Sequence, residues 1–188
     1  SKIADVRIIW GGDNTVNEIR KAQMKPRTIE VTFADRYSLC VLDAEKVLEI
    51  TDLPKLSREF YNDTYLYDQN ACSSPRMMIW MGEKEIIEKA KAVFWNAIHD
   101  YIKNRYKIET VVAVDKLMTE LNCAVDFENA HIEKMNDNLI NRIRIESLEK
   151  NIPEYRCVGG CFLEYDTNNL DDLSKIVTEK YQTLSYLG

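Results

Sequence analysis

The 188-residue chain has two histidines, six glycines and four prolines, and each scarcity narrows its chemistry. With His99 and His131 as the whole imidazole supply, a zinc site would have to be built from thiolates, and the five cysteines (Cys40, Cys72, Cys123, Cys157, Cys161) lack the paired spacing of such sites. Only Cys157 and Cys161 lie close together, and two small apolar side chains in one strand is the preferred reading of that pair. Low glycine and proline exclude low-complexity and collagen-like chains. No apolar run approaches the roughly 20 residues of a membrane helix, so no membrane span is expected. Basic residues are also the minority: 25 Lys and Arg against 31 Asp and Glu give a formal charge of -6, which argues against nucleic acid as a partner. An odd number of unpatterned cysteines fits a reducing compartment, and Ser1 to Asp5 lack the basic-then-apolar pattern of a secretory leader. The cytoplasm is the expected location.

What remains is a chain with 45% apolar and 30% charged residues, a composition that folds. Ala4 to Trp10 is a β-leaning run ending at Gly11 and Gly12, after which Asp13, Asn14 and Thr15 offer caps for a helix over Val16 to Ala22. Thr28 to Phe33 alternates, and Tyr37 to Leu42 is nearly all apolar, so both are expected strands, the second more buried. A helical stretch runs from Asp43 to Ile50. Pro54 is expected to interrupt it, with a second helix over Leu56 to Tyr67. Arg76 to Met81 is a buried strand closed by Gly82. The clearest helix follows from Glu83, its apolar positions Ile86, Ile87, Ala90, Val93, Phe94, Ala97, Ile98 and Tyr101 recurring every three or four residues. A helix over Glu109 to Cys123, strands over Leu139 to Ile145 and Cys157 to Tyr165, a helix over Leu170 to Lys180 and a strand over Thr183 to Leu187 complete the reading. Alternating strands and helices predict an α/β sheet with helices on both faces.

The most informative segment is Tyr61 to Met81. Asn70 to Pro75 (NACSSP) is a small polar turn between a helix and a buried strand, expected to emerge at the edge of a sheet. Cys72 there has room beside it for an acyl group, and turn amides to receive the oxyanion that forms when a thiolate attacks a carbonyl. A free cysteine is also often only a small hydrophobe packed behind a turn, and the pattern alone leaves both readings open. His99, at the edge of a helical stripe, and His131, in a polar loop, have no neighbour that makes either a base for Cys72, which leaves a Cys–His hydrolase as a minor alternative. Tyr61, Tyr65 and Tyr67 are expected to pack rather than to line a tunnel. Gly11 and Gly12, between a strand and a capped helix, form a turn whose amides can face a phosphate.

Four segments together resemble the LuxC-type acyl-CoA reductases, or long-chain fatty-acid reductases, of the aldehyde dehydrogenase superfamily. They are VRIIWGGDNTV (Val6 to Val16), FADRYSLCVLD (Phe33 to Asp43), YDQNACSSPRMMIW (Tyr67 to Trp80) and EKYQTLSYLG (Glu179 to Gly188). They occur in the family's order and span nearly the whole chain. The resemblance implies a three-layer αβα sandwich of the aldehyde dehydrogenase catalytic-domain type for residues 33–188. Residues 1–32 would be the terminal strand–helix–strand portion of an NAD(P)-binding domain. It makes Cys72 the nucleophile, accepting an acyl group from acyl-CoA or an acyl-protein thioester, with NADPH as the reductant and an aldehyde as the product.

Superfamily members that hydrolyse their acyl enzyme carry a Glu where an ungapped alignment of FADRYSLCVL places Thr32. Glu30, two residues earlier on the same strand face, is then the candidate general base. The resemblance also assigns Gly11 and Gly12 to the dinucleotide, and likens Arg156 to Gly160 to the loop that touches the cofactor ribose. Arg156 stands where an acidic residue is usual, and a cation there tolerates a phosphorylated ribose. Most of the nucleotide-binding domain is expected before Ser1 and further catalytic-domain residues after Gly188, so the chain alone is expected not to turn over. The competing reading is a non-catalytic α/β binding or oligomerisation module with a structural Cys72, and a homo-oligomer is compatible with either.

Overall fold

A computed structural model describes residues 4–188, which fall into two compact units, the first ending at residue 36 and the second covering 37–188. In the first, β1 (Val6–Trp10) and β2 (Ile29–Phe33) pair in parallel, joined by α1 (Asp13–Arg20). Alternation along both strands puts Arg7, Ile9, Glu30 and Thr32 on one face, where Ile9 is buried. Val6, Ile8, Trp10, Ile29, Val31 and Phe33 lie exposed on the other. Arg7 links the layers: its guanidinium binds Glu30 on β2 and donates to the carbonyls of Ile19 and Ala22 at the C-terminal end of α1, where a cation complements the helix dipole.

The second unit is built on one six-stranded sheet. Its strands are β3 (Tyr37–Asp43), β4 (Met77–Met81), β5 (His131–Lys134), β6 (Asn141–Arg144), β7 (Cys161–Thr167) and β8 (Tyr181–Leu187), in spatial order β5-β6-β7-β4-β3-β8. All pairings are parallel except β5 with β6. Strands β3 and β4 are apolar throughout because both of their faces are covered. Cys40, Leu42, Met78 and Trp80 pack into a core containing Val47, Phe60, Phe94 and Trp95, from α2 (Ala44–Glu49), α3 (Leu53–Thr64) and α4 (Lys84–Ile102). Leu39, Val41, Met77 and Ile79 pack on the opposite side with Cys123 of α5 (Thr110–Asp126), Phe127, Ile152 and Leu173. The expected α/β sheet with helices on both faces is therefore present.

A buried ion pair is drawn into the first of these cores. Glu164 of β7 is 1% exposed and accepts the indole N–H groups of Trp80 (3.0 Å) and Trp95 (2.7 Å), with the Lys91 ammonium at 3.4 Å. Four polar groups that would be costly to bury singly thus satisfy one another.

Local expectations need several corrections. Pro54 does not break a helix; it occupies the first turn of α3, where its missing N–H has no helical partner to lose, and Asp52 caps that turn by accepting from Lys55 N at 2.9 Å. His131 begins a strand rather than lying in a loop. The four residues of β5 are too few to show a period, and the strand exists through its hairpin with β6, closed by Met135 N–H to Ile140 O at 3.0 Å. Leu170 to Lys180 forms only a 3₁₀ segment, Leu170–Lys175, capped by Asn169. Cys161 opens β7, but Cys157 precedes it, separated by Gly159 (φ 56°) and Gly160 (φ 83°) in the left-handed region. A side chain at Gly160 would place its Cβ 2.2 Å from the Leu139 carbonyl oxygen, so the turn into β7 depends on glycine.

Candidate active site around Cys72

Residues 68–76 connect the 3₁₀ turn Tyr65–Tyr67 to β4. They lie at the N-terminal ends of the parallel strands β3, β4 and β8. This departs from the expected edge position, because β4 is an interior strand, and from the usual placement of α/β sites at strand C-termini.

The loop is anchored from below. Asp68 (φ 50°) and Gln69 (φ 62°) are both left-handed, an uncommon pairing for non-glycine residues that the surroundings hold in place. Gln69 is fully buried. Its amide nitrogen donates to the carbonyls of Pro75 and Cys161, both at 2.9 Å, and its oxygen accepts from Gly160 N at 3.1 Å. Asp68 accepts from the Tyr106 hydroxyl (2.7 Å) and from Gly159 N–H (3.0 Å). Behind the glycine pair, the Lys116 ammonium donates to the carbonyls of Asn138 (2.6 Å) and Gly159 (2.9 Å), and burial pulls its pKa down to about 8. Ser74 Oγ donates to Asp63 O, and Ser38 Oγ, on β3, donates to Cys72 O at 2.6 Å. Ser74 of NACSSP therefore does more than leave space.

Above this base the thiol is open. Cys72 is exposed, whereas Cys40, Cys123, Cys157 and Cys161 are buried. Burial pushes the Cys40 and Cys123 thiols up to about 12, and Cys161 is raised well above the usual range by its hydrogen bond with Cys157 and by burial. The turn closes through Ser74 N–H to Ala71 O, while the N–H groups of Cys72 and Ser73 have no acceptor among the described residues. Gln182 of β8 points its amide at the sulfur, Nε2 to Sγ 3.4 Å.

Arg156 is brought to the same loop: exposed, it donates from Nη2 to Asn70 Oδ1 at 2.9 Å. It also borders an open polar cavity of about 600 Å³ lined by Asp115, Thr119, Asn122, Asp126, Asn151 and Tyr155. The tyrosines pack as expected in part: Tyr65 is buried and Tyr61 stacks on it at 6.0 Å, but Tyr67 is exposed.

Gly11, Gly12 and Glu30 belong to the first unit. Gly12 caps α1 with no side-chain bond, and no heavy atom lies within 4 Å of where its Cβ would stand. The Gly11 N–H, however, is given to Phe33 O at 3.1 Å, so the donors this turn holds out to an anion begin at Gly12 and the first turn of α1. Glu30 is clamped by Arg20 (2.7 Å) and Arg7 (2.8 Å) and accepts from Thr32 Oγ1 at 3.2 Å. The guanidinium of Arg20, then that of Arg7, holds its carboxyl down at about 2. A carboxylate held so low is a poor proton acceptor near neutrality.

Sequence reasoning missed Ser38, Gln69 and Gln182. A buried serine in an apolar strand (YSLCVL) was a usable signal for the first. The other two are ordinary polar residues until the chain folds.

The fold is that of aldehyde dehydrogenase domains. The chain matches a mutant of aldehyde dehydrogenase C from Pseudomonas syringae, complexed with NAD+ and octanal (TM-score 0.58, 11% identity, covering 89% of this chain and 37% of that one). It also matches a NAD-dependent benzaldehyde dehydrogenase from Corynebacterium glutamicum (0.61, 8%, covering 99% and 42%). A NAD-dependent aldehyde dehydrogenase from Sinorhizobium meliloti gives 0.59 and 10%, covering 90% and 35%. The chain thus spans well under half the length of these structures. No curated protein matches it.

The profile of the family "Acyl-CoA reductase (LuxC)" matches residues 1–186, and the chain belongs to that family. Among the described residues, no helix is long and apolar enough to cross a membrane.

Proposed function

We propose that this chain carries the acyl-accepting site of a fatty acyl-CoA reductase, with Cys72 as the nucleophile. One observation carries the reading: of five thiols, Cys72 alone is exposed, in a braced turn with two uncommitted amides beside it. The Cys72 thiolate attacks the carbonyl carbon of an acyl thioester, from acyl-CoA or an acylated protein. A carbon–sulfur bond forms to Cys72, and the bond to the leaving thiol breaks, the thiolate leaving with its electron pair. The N–H groups of Cys72 and Ser73 are the donors available to the oxyanion.

A bound reduced nicotinamide, NADPH in this reading, would supply the hydride that takes the acyl thioester to the thiohemiacetal. That species forms as its alkoxide, and its collapse breaks the Cys72 carbon–sulfur bond, sulfur leaving with the electron pair, so that the aldehyde and the Cys72 thiolate are released with no net proton. In the first unit, the N-terminus of α1 at Gly12, which has no side-chain cap, is the part of the Gly11–Gly12 turn that suits a pyrophosphate; in the second unit, Arg156 offers a cation to a phosphorylated ribose. Residues 1–32 are assigned to the nucleotide-binding portion and 33–188 to the catalytic domain, with the join falling at the end of β2, where Phe33 still pairs with Trp10 of the first unit. Glu30 enters as an ion-pair anchor of the first unit, not as a base; a reductase that hands its acyl group to hydride has no need to activate water.

A second reading, an oligomerisation module, rests on the exposed stripe Val111, Val114, Leu117, Leu121 and Val125 along α5, and both roles are compatible in one protein.

The test is intact and peptide mass spectrometry after incubation with butanoyl- through hexadecanoyl-CoA. A thioester adduct on Cys72, absent in Cys72→Ala, is expected. An unmodified Cys72 across the panel, in a chain that remains folded, refutes the nucleophile.

A further inference from the structure

We propose that Gln182 is a catalytic residue of the Cys72 site, a neutral hydrogen-bond donor that stabilises the sulfur whenever it is anionic. The inference deepens the preceding reading and rests on it for the identity of the reacting atom.

The register of β8 against β3 is the starting point. Tyr37 pairs with Tyr181, but Ser38 pairs with Thr183, so Gln182 is an extra residue in a parallel ladder. Bulges are rare in parallel pairs, and where they occur they re-aim a side chain. Here the inserted residue is the one that reaches the thiol, Nε2 to Sγ 3.4 Å. The residue opposite the irregularity, Ser38, holds the Cys72 carbonyl at 2.6 Å. One irregular step between two edge-side strands thus addresses Cys72 twice, at its backbone and at its sulfur.

No other side chain among the described residues donates to that sulfur. Ser38 is committed to the carbonyl, and the Arg156 guanidinium to Asn70. An amide suits the task, since it has no proton to lose and cannot compete as a base. Its N–H favours the thiolate before attack and favours it again when the carbon–sulfur bond breaks and sulfur departs with the electron pair. The same donor therefore serves both ends of the cycle.

The experiment measures the rate of iodoacetamide alkylation at Cys72, by peptide mass spectrometry at neutral pH, for the chain and for Gln182→Leu, Gln182→Glu and Gln182→Lys. Loss of a donor to a charged acceptor slows the reaction by about five- to tenfold in the Leu variant. The near-isosteric Glu variant is slower still, and Lys, which restores a donor, returns the rate to the original or above. Near-UV circular dichroism of the buried Trp80 and Trp95 checks folding; if the Leu variant misfolds, the Glu and Lys pair supplies the same comparison.

Rates within twofold across the series overturn the inference, as does equal slowing of Leu, Glu and Lys, which marks a purely structural role. Acyl loading from dodecanoyl-CoA on the same samples separates the two proposals. Ordered alkylation without acyl loading refutes the acyl-transfer reading and supports the donor role of Gln182. Acyl loading with a flat alkylation series overturns the donor role alone.

Discussion

The side-chain amide of Gln69 donates to the main-chain carbonyl of Cys161 at 2.9 Å, joining the loop before β4 to the first residue of β7 across 92 positions of sequence. The same side chain also satisfies Pro75 O and Gly160 N, so three buried backbone groups depend on one residue. Gln69→Leu leaves all three without a partner, and the expected loss of stability is about 2–4 kcal/mol. Urea denaturation followed by tryptophan fluorescence measures it. A loss below about 1 kcal/mol means that water replaces the amide and that the loop is held by something else.

Exposure orders the five thiols. Iodoacetamide should modify Cys72 in the native chain well before Cys40, Cys123, Cys157 and Cys161, all of which are buried. Burial also raises the Cys40 and Cys123 thiols to about 12, leaving little thiolate at neutral pH. Peptide mapping over a time course resolves the order. Cys72→Ala should leave the unfolding midpoint nearly unchanged, within about 0.5 kcal/mol, as for an exposed side chain away from the core. Equal labelling of all five thiols would point to a binding module with an unremarkable Cys72.

The Arg7–Glu30–Arg20 cluster makes the first unit acid-sensitive. Glu30 has its carboxyl lowered from 4.5 to about 2, first by the hydrogen bond from Arg20 and then by that from Arg7. A depressed carboxylate contributes stability that is fully present above the unfolded value and disappears as pH falls through the folded one. The contribution should therefore be intact at pH above about 5 and lost toward about pH 2. A ¹³C carboxyl titration of Glu30 by NMR should show this low midpoint, and Glu30→Gln should weaken the acid dependence of the first unit. A Glu30 midpoint near 4.5 would show that the two guanidinium groups do not hold the carboxylate in solution.

Much of this architecture is readable along the chain, for a physical reason. Helix α4 repeats its apolar residues at helical spacing and β3 and β4 are unbroken apolar runs, so burial of those stretches is dictated locally. NACSSP is likewise visible as small polar residues ahead of a buried strand. Short elements were less legible. Strand β5 has four residues, only one of them strongly apolar, and it exists through its partner in β6. Pro54 looked like a break because proline carries the same local restriction in a first turn as in a stop; Asp52, two residues earlier, was the cue that distinguishes them.

Composition and periodicity along this chain were sufficient to dictate layered α/β packing, the buried strands and a cysteine in a turn, because each depends on residues adjacent in sequence. Whether that cysteine is open, braced or hydrogen-bonded was not encoded locally. Ser38 and Gln182 meet the loop, and the loop's own Gln69 reaches Cys161, only after β3, β7 and β8 align, with one irregular step in β8 delivering the amide to sulfur. Contacts of that kind arise from strand register and loop closure over long separations, which no window of neighbouring residues contains.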